Sequence, residues 1–331
     1  MINKISASAA AVLIAISGSA AVAQAAMTPA QVQAYPSRPI RIIVPFSAGG
    51  SGDAIMRFVG QKLTDAWGQP SVIDNRAGAS GAIGLLMAAK SAPDGYTLVH
   101  GTASTHSINP ILQKDLPYDA VRDFTPISLL ASSPNILLVR ADSPFKTVAD
   151  VIAASKAKPG SLSYGHAGTG TSTHLAGELL KNLARIEITG IPYKGGLPAI
   201  NDLLGGQIPM SFNNGPESVG QLEAGMVRAL AVTTASRASF LPSVPSMAET
   251  VPGYDTEVWW GLLGPAGMPP DLVEKLSHDF VAALNTDAVK QRLGKLGASP
   301  IGSSPTAFDA KIHADYDKWG PIIKAAGMKA E

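Results

Sequence analysis

Two segments decide the fold that we predict for this chain, FSAGGSGD (Phe46–Asp53) and GTGTSTH (Gly168–His174). Each lies between a predicted strand and a predicted helix, so each leaves unpaired backbone N–H groups at the positive end of a helix dipole. Such helix ends attract anions. Two of them, more than a hundred residues apart, predict a clamp that holds a small organic anion from two sides.

The composition indicates a folded, exported protein of two domains. The chain has 331 residues, of which 46% are hydrophobic and 15% charged, as is typical of globular proteins. Residues 1–25 are predicted to be a signal peptide, because Lys4 precedes a short apolar run and Ala23-Gln24-Ala25 offers a cleavage site. We therefore expect a periplasmic location after cleavage near Ala25.

Charge and cysteine content exclude several kinds of partner and chemistry. The chain has 26 basic and 25 acidic residues, and removal of Lys4 with the signal balances them. This balance disfavours nucleic acid and anionic membranes as partners. The absence of cysteine removes disulfides, a lipid-anchored cysteine, thiol nucleophiles and cysteine-bound metals.

Strands and helices alternate along the chain, which predicts parallel sheets with covered faces. A flexible lead is expected at 27–34. Strands are predicted at 40–45, 71–74, 96–100, 161–164, 187–192, 208–212, 229–233 and 258–263. Helices are predicted at 53–67, 80–90, 148–156, 174–183, 198–204, 271–285 and 305–325. The apolar run 127–139, which a Ser-Ser-Pro break interrupts, leads into the second half.

Both glycine segments have a chemical and a structural interpretation. Gly49-Gly50-x-Gly52 lacks the third glycine of a dinucleotide fingerprint, and no Gly-Lys-Ser/Thr follows it. Its backbone N–H groups and hydroxyls suit a carboxylate instead, as do the hydroxyls of the second segment. The structural alternatives are a tight turn capped by Asp53 and a solvated turn with a hydroxyl cap.

Other polar residues follow predicted strands, at the edge where ligands of open α/β sheets bind. They are Thr102, Ser104, Thr105, His106, Tyr193, Lys194, Asn213 and Asn214. The structural alternatives are a satisfied loop histidine at His106, a solvated cation at Lys194 and turn caps at the two amides. Trp259 and Trp260 are predicted to be core residues, although either could line a pocket. The six histidines stand singly and no hydrolase or zinc motif is present, so no catalytic residue, metal or cofactor is expected.

A series of short motifs runs in order from Tyr35 to the C-terminus. They are YPSRPI at 35–40, VPF at 44–46, Gly49-Gly50-x-x-Asp53, Asn75-Arg76-x-Gly78, APDGYT at 92–97, LPYD at 116–119, Gly170-Thr171-x-x-His174-Leu175, PYKG at 192–195, DLLGG at 202–206, RALAV at 228–232 and GLL at 261–263. In this order they resemble the periplasmic substrate-binding proteins of tripartite tricarboxylate transporters, the Bug family of receptors.

The resemblance implies an α/β, two-lobed type II periplasmic-binding-protein (Venus flytrap) fold, in which each lobe is a mostly parallel sheet flanked by helices. Lobe 1 would comprise 35–130 and 256–331, and lobe 2 would comprise 131–255. A monomer would capture a small organic carboxylate (a di- or tricarboxylate, or an aromatic acid) and deliver it to the permease subunits in the membrane. The implied contacts are Phe46, Ser47, Ala48, Gly49, Gly50, Asp53, Thr102, Ser104, Thr105, His106, Gly168, Thr169, Gly170, Thr171, His174, Tyr193, Lys194, Asp202, Asn213 and Asn214.

One departure from the family concerns specificity. Relatives often read Phe-Asp-Asn where this chain has Phe212-Asn213-Asn214. Loss of a carboxylate beside the pocket predicts a preference for dicarboxylates over amino acids. Hinges are expected near 129–135 and 254–259. Two alternative functions stay open, namely an exported hydrolase of carboxylate esters with His106 or His174 as base, and a receptor that reports its ligand to a membrane sensor.

Overall fold

The computed structural model describes residues 27–113 and 115–325. Its strands are β1 Ile40–Val44, β2 Ser71–Asn75, β3 Thr97–Thr102, β4 Phe124–Arg140, β5 Leu162–His166, β6 Ile188–Pro192, β7 Met210–Asn214, β8 Val227–Val232, β9 Glu257–Pro265 and β10 Ser299–Pro300. Its α-helices are α1 Pro29–Gln33, α2 Ser51–Trp67, α3 Ala82–Ala89, α4 Asn109–Leu112, α5 Val148–Ala157, α6 Ser172–Ala184, α7 Gly196–Leu204, α8 Gly215–Glu223, α9 Pro270–Leu284, α10 Asp287–Lys295 and α11 Pro305–Ala325. The predicted signal peptide lies outside the described residues. Within them, no helix combines the length and apolar character that a membrane span requires.

One long strand, β4, belongs to two sheets. As far as Pro134 it pairs with β9, and from Asn135 onward it pairs with β7 and β8. The first sheet has the order β2-β1-β3-β9-β4 with β10 also on β4, and the second has the order β4-β7-β5-β6 with β8 also on β4. The chain therefore passes between the sheets at Pro134–Asn135 and returns just before β9.

The sheets are more mixed in direction than the predicted parallel ones. β1 is parallel to β2 and β3, and β5 is parallel to β6 and β7. The pairs around β4 and β9 are antiparallel. The reason lies in the path of the chain. β4 carries the chain from the first sheet into the second and β9 brings it back, so the two strands run in opposite directions. The predicted two-lobed α/β arrangement is confirmed, whereas the prediction of mostly parallel sheets is wrong in the middle of both.

The register brings the carboxyl ends of the parallel strands in both sheets to one junction. Thr102 at the end of β3 pairs with Trp260, which also pairs with Ala131 of β4. Asn214 at the end of β7 pairs with Asn135, which also belongs to β4. β3 runs towards the second sheet and β7 towards the first, so the two sets of strand ends face each other across a cleft.

Apolar side chains cover both faces of each sheet. In β1, Ile42 packs into one buried cluster and Ile43 into another, as the alternation along a strand requires. Trp260 packs into the same cluster as Ile42 and Trp259 into the same cluster as Ile43, and both tryptophans are almost fully buried. Trp259 also donates a hydrogen bond of 2.5 Å from Nε1 to Asp315 Oδ2. Both tryptophans are core residues, as predicted.

Four helices differ from the sequence-based expectation. Residues 27–34 are not a flexible lead, because Thr28 and Gln31 cap α1 reciprocally and bring in the buried Tyr35, whose hydroxyl donates to the Gly95 carbonyl at 2.6 Å. Helices α4 and α10 were not predicted. Nor was α8, since Asn213-Asn214-Gly215 favours a turn, although Pro216 in the first turn is typical of a helix start.

Candidate ligand-binding cleft

Asp53 holds the first glycine segment in shape. Its carboxylate accepts hydrogen bonds from the Gly49 N–H at 2.9 Å, Arg57 Nε at 3.0 Å and Asn75 Nδ2 at 3.0 Å. Asn75 also donates to the Phe46 carbonyl at 3.1 Å. Burial raises the pKa of Asp53, but these hydrogen bonds outweigh it and hold the pKa below its ordinary value. The Asp53 carboxylate is thus engaged within the protein.

The N-terminus of α2 is what the first segment presents to the cleft. Its cap residue, Gly50, has no side chain, so the first N–H groups of the helix stay open. Ser47, Ala48 and Gly49 are exposed before it. Below it, a Cβ on Gly52 would lie 2.5 Å from the ring of His100.

His100 is a buried neutral base under this helix end. Neither of its ring nitrogens has a hydrogen-bond partner within the part of the chain that the structure describes. Burial lowers the pKa of His100 to about 3, although the Asp53 charge raises it. The imidazole is therefore uncharged at neutral pH and serves as a packing surface for α2.

Most hydroxyls of the second glycine segment bond within the protein. Thr171 Oγ1 donates to the Gly168 carbonyl at 2.7 Å and accepts from the His174 N–H at 3.3 Å. Thr173 Oγ1 accepts from the Ala167 N–H at 2.9 Å. The sequence predicts that these hydroxyls hold a carboxylate, but they are engaged in shaping the turn. The half-buried Thr169 and the N-terminus of α6 remain available.

His174 belongs to a stacked pair that its isolated position in the sequence does not suggest. Its ring lies 4.2 Å from that of His166, at an interplanar angle of 10°. Its Nδ1 accepts from the Gly170 N–H at 3.3 Å. Burial, and then the charge of Lys181, lower the pKa of His174 to about 4, so the imidazole is neutral near pH 7.

The predicted residues after β3 form a tight local structure. The Thr102 N–H donates to Thr105 Oγ1 at 3.0 Å, and that hydroxyl lies 2.9 Å from His106 Nδ1. Ser104 is half-buried. His106 lines a separate cavity of about 690 Å³ together with Tyr118 and other residues, so the structure does not group it with the two glycine segments.

The turn between β6 and α7 brings Tyr193 and Asp202 together. The Tyr193 hydroxyl donates to Asp202 Oδ2 at 2.8 Å. Burial, and then this hydrogen bond, raise the pKa of Tyr193 to about 12. Lys194 is exposed beside them. The next residue but one, Gly196, begins α7 at the facing edge of the second sheet.

Glu217 is a cleft residue that is absent from the predicted set. It lies in the first turn of α8, and its Oε1 accepts a hydrogen bond of 3.3 Å from Ser51 Oγ of α2, across the cleft. Its Oε2 is buried and has no hydrogen-bond partner among the described residues. Burial raises the pKa of Glu217 to about 7, although hydrogen bonds from Ser51 and the Asn214 backbone lower it.

Glu217 corrects the premise of the specificity prediction. That prediction takes the pocket beside Asn213 to lack a carboxylate, but α8 supplies one, Glu217. The available signal was the Gly215-Pro216-Glu217 sequence, which places an acid in a first helical turn.

Two α/β lobes whose helix N-termini meet at one cleft define a solute receptor, and comparison with known proteins agrees. The profile of the tripartite tricarboxylate transporter family receptor matches residues 55–328. The chain belongs to this family. Protein BugT of Bordetella pertussis is 34% identical over 303 residues, which cover 91% of this chain and 93% of BugT.

Two solved structures are similar over nearly their whole length. The structure of Rpa4515 from R. palustris with adipate has a TM-score of 0.85 at 38% identity and covers 89% of this chain and 99% of its own. MatC from Rhodopseudomonas palustris with bound malate has a TM-score of 0.80 at 31% identity and covers 87% and 100%. The predicted family and periplasmic-binding-protein fold are confirmed. The family and its structural neighbours are receptors rather than enzymes, which argues against the hydrolase alternative.

Proposed function

We propose that this protein captures a small organic carboxylate in the cleft and delivers it to the membrane permease of a tripartite tricarboxylate-type transporter. The observation that carries the proposal is the register of β4, which makes the strand ends of both sheets, and the N-termini of α2, α6, α7 and α8 that follow them, face one space. Helix N-termini favour anions. The relatives with adipate and malate support a carboxylate as the anion.

The proposed lobes are 35–130 with 256–331, and 131–255. The change of partners of β4 between Pro134 and Asn135 supports a first crossing between the lobes a few residues after 130. The two crossings are the hinges, and ligand shifts the population towards a closed form that the permease binds. The signal peptide is cleaved near Ala25, which releases the receptor into the periplasm.

A thermal-shift screen of the mature protein against organic acids, followed by calorimetry, tests the binding. A carboxylate at one hundred times its Kd should stabilise the fold by about 2.7 kcal/mol. The matched control for each acid is its diamide, adipamide for adipate, which has the same length without charge. Stabilisation by the amides as large as that by the acids would contradict an anion site.

Uptake assays separate delivery from sensing. Cells that depend on this receptor for a radiolabelled acid should lose uptake when the permease genes are deleted. A normal transcriptional response to the acid with unaffected uptake would favour the sensor alternative.

A further inference from the structure

Asn213 has a fixed amide orientation. It is fully buried at the end of β7, and its Nδ2 donates to Ser211 Oγ at 2.7 Å. The single Ser211 hydroxyl proton is committed to the Gly165 carbonyl at 3.1 Å, so Ser211 can only accept from Asn213. The amide nitrogen must therefore face Ser211, and Oδ1 must point the other way.

Asn213 Oδ1 and Glu217 Oε2 face the same small space. A Cβ on Gly196, the first residue of α7, would lie 2.8 Å from Asn213 Oδ1 and 1.9 Å from Glu217 Oε2. Any larger residue would collide with the carboxylate, so this glycine makes room for it. Both oxygens are buried, and neither has a hydrogen-bond partner among residues 27–113 and 115–325.

When Glu217 is ionised, both oxygens are acceptors and cannot satisfy each other, whereas buried acceptors in native proteins are normally paired. A neutral Glu217 can supply the proton itself, but the ionised carboxylate needs a donor from outside, placed between the two oxygens. The other oxygen of the same carboxylate is bonded to Ser51, in the first turn of α2, so the donor would lie beside the helix ends that face the cleft.

We propose that Glu217 and Asn213 form a subsite for a hydroxyl or ammonium group on the ligand carbon next to its carboxylate. This inference rests on the proposed function, since the helix ends must hold the carboxylate itself. The preferred ligands are then 2-hydroxy or 2-amino acids, and plain dicarboxylates leave both oxygens unpaired. This reverses the preference that the Asn213 substitution alone predicts.

Calorimetry with three matched triplets tests the subsite. They are succinate, malate and aspartate; glutarate, 2-hydroxyglutarate and glutamate; and adipate, 2-hydroxyadipate and 2-aminoadipate. In at least one triplet, a 2-substituted acid should bind at least tenfold more tightly than the plain acid. The hydroxy and amino arms identify which donor is read, and a preference for either supports the subsite.

The variant Glu217→Gln keeps the shape of the side chain but replaces one acceptor oxygen by an NH2 group. It should reduce the preference at least tenfold while it continues to bind the plain acid. Gly196→Ala, which fills the space with a methyl group, should do the same by a second route if the first variant folds poorly. Glu249→Gln makes the same chemical change at an exposed carboxylate that pairs with Arg237, and as the control it should leave the ratio within each triplet unchanged.

The outcomes separate this inference from the function on which it depends. Equal affinities within every triplet, or an undiminished preference in Glu217→Gln, overturn the subsite but leave the receptor intact. Failure of all nine acids to bind contradicts both.

Discussion

At the scale of single residues, Glu217 is a carboxyl group buried at the cleft that pairs with no cationic side chain in the described part of the protein. Its pKa of about 7 lies above the ordinary 4.5, and burial is the main cause. A carboxyl whose pKa is higher in the folded state contributes stability that is fully present below the unfolded pKa. That contribution is lost as the pH rises through the folded pKa. The relevant window is therefore pH 4.5 to 7.

Glu217→Gln should therefore stabilise the protein in a pH-dependent way. At pH 8.5 the free energy of unfolding should rise by on the order of 2 kcal/mol, and the gain should vanish near pH 4.5, where the native carboxyl is neutral as well. Urea denaturation over this range measures it.

Glu249→Gln is the matched control for this series. Arg237 and a backbone hydrogen bond lower the pKa of Glu249 to about 2, so this variant should lose rather than gain stability at pH 8.5. A pH-independent difference for Glu217→Gln would contradict the account.

The sequence identifies chemically able residues but not what they already bond to. Thr171 and Asp53 lie on the two glycine segments, and both are predicted to contact the ligand. Their side chains are nevertheless taken up by neighbours, Gly168 in one case and Arg57 and Asn75 in the other. Glu217, in contrast, was not predicted. It meets Ser51 only because α8 forms, and the local sequence pattern favours a turn there rather than a helix.

At the scale of elements, the start of α2 depends on a close approach to β3. Gly52 lies against the His100 ring, and a Cβ there would lie 2.5 Å away. Gly220 in α8 has open space around the same position. These two helical glycines make a matched pair that separates packing from helix propensity.

Gly52→Ala should destabilise the protein by about 1–3 kcal/mol, because the ring or the helix must shift. Gly220→Ala should instead stabilise by up to about 1 kcal/mol, the helix preference of alanine over glycine. Urea unfolding of the two variants provides the test. Changes of the same sign and size would show that α2 does not rest on His100 in this way.

Strand and helix positions follow well from hydrophobic periodicity. The strand predicted at 40–45 is observed as Ile40–Val44, and the helix predicted at 148–156 as Val148–Ala157. Strand direction does not follow in the same way. Whether β9 runs with or against β4 depends on where the chain has been in between, which the local pattern of 258–263 does not contain.

At the scale of the whole molecule, one side-chain hydrogen bond links the facing helix ends. Ser51 of α2 and Glu217 of α8 meet across the cleft at 3.3 Å. A second anion at Ser51 would oppose the Glu217 carboxylate and favour an open form, since like charges in a partly buried site repel.

Ser51→Asp should therefore increase the radius of gyration of the unliganded protein in small-angle X-ray scattering at pH 8.5. Ser47→Asp adds the same charge on the exposed part of the segment and should leave it unchanged. Saturation of the native protein with a bound acid should decrease the radius, because closure compacts the protein, and an unchanged radius would count against closure. Equal radii for the two variants would mean that this contact does not hold the lobes together.

The central position of β9 also constrains the order in which the protein can be made. This strand lies between β3 and β4 in the first sheet, yet it is synthesised after the whole of the second. β3 and β4 must therefore stay unjoined while about 120 later residues follow them out of the export channel. The strands of the second sheet are contiguous in the chain from β4 to β8, so emergence from the N-terminal end favours the folding of that sheet first.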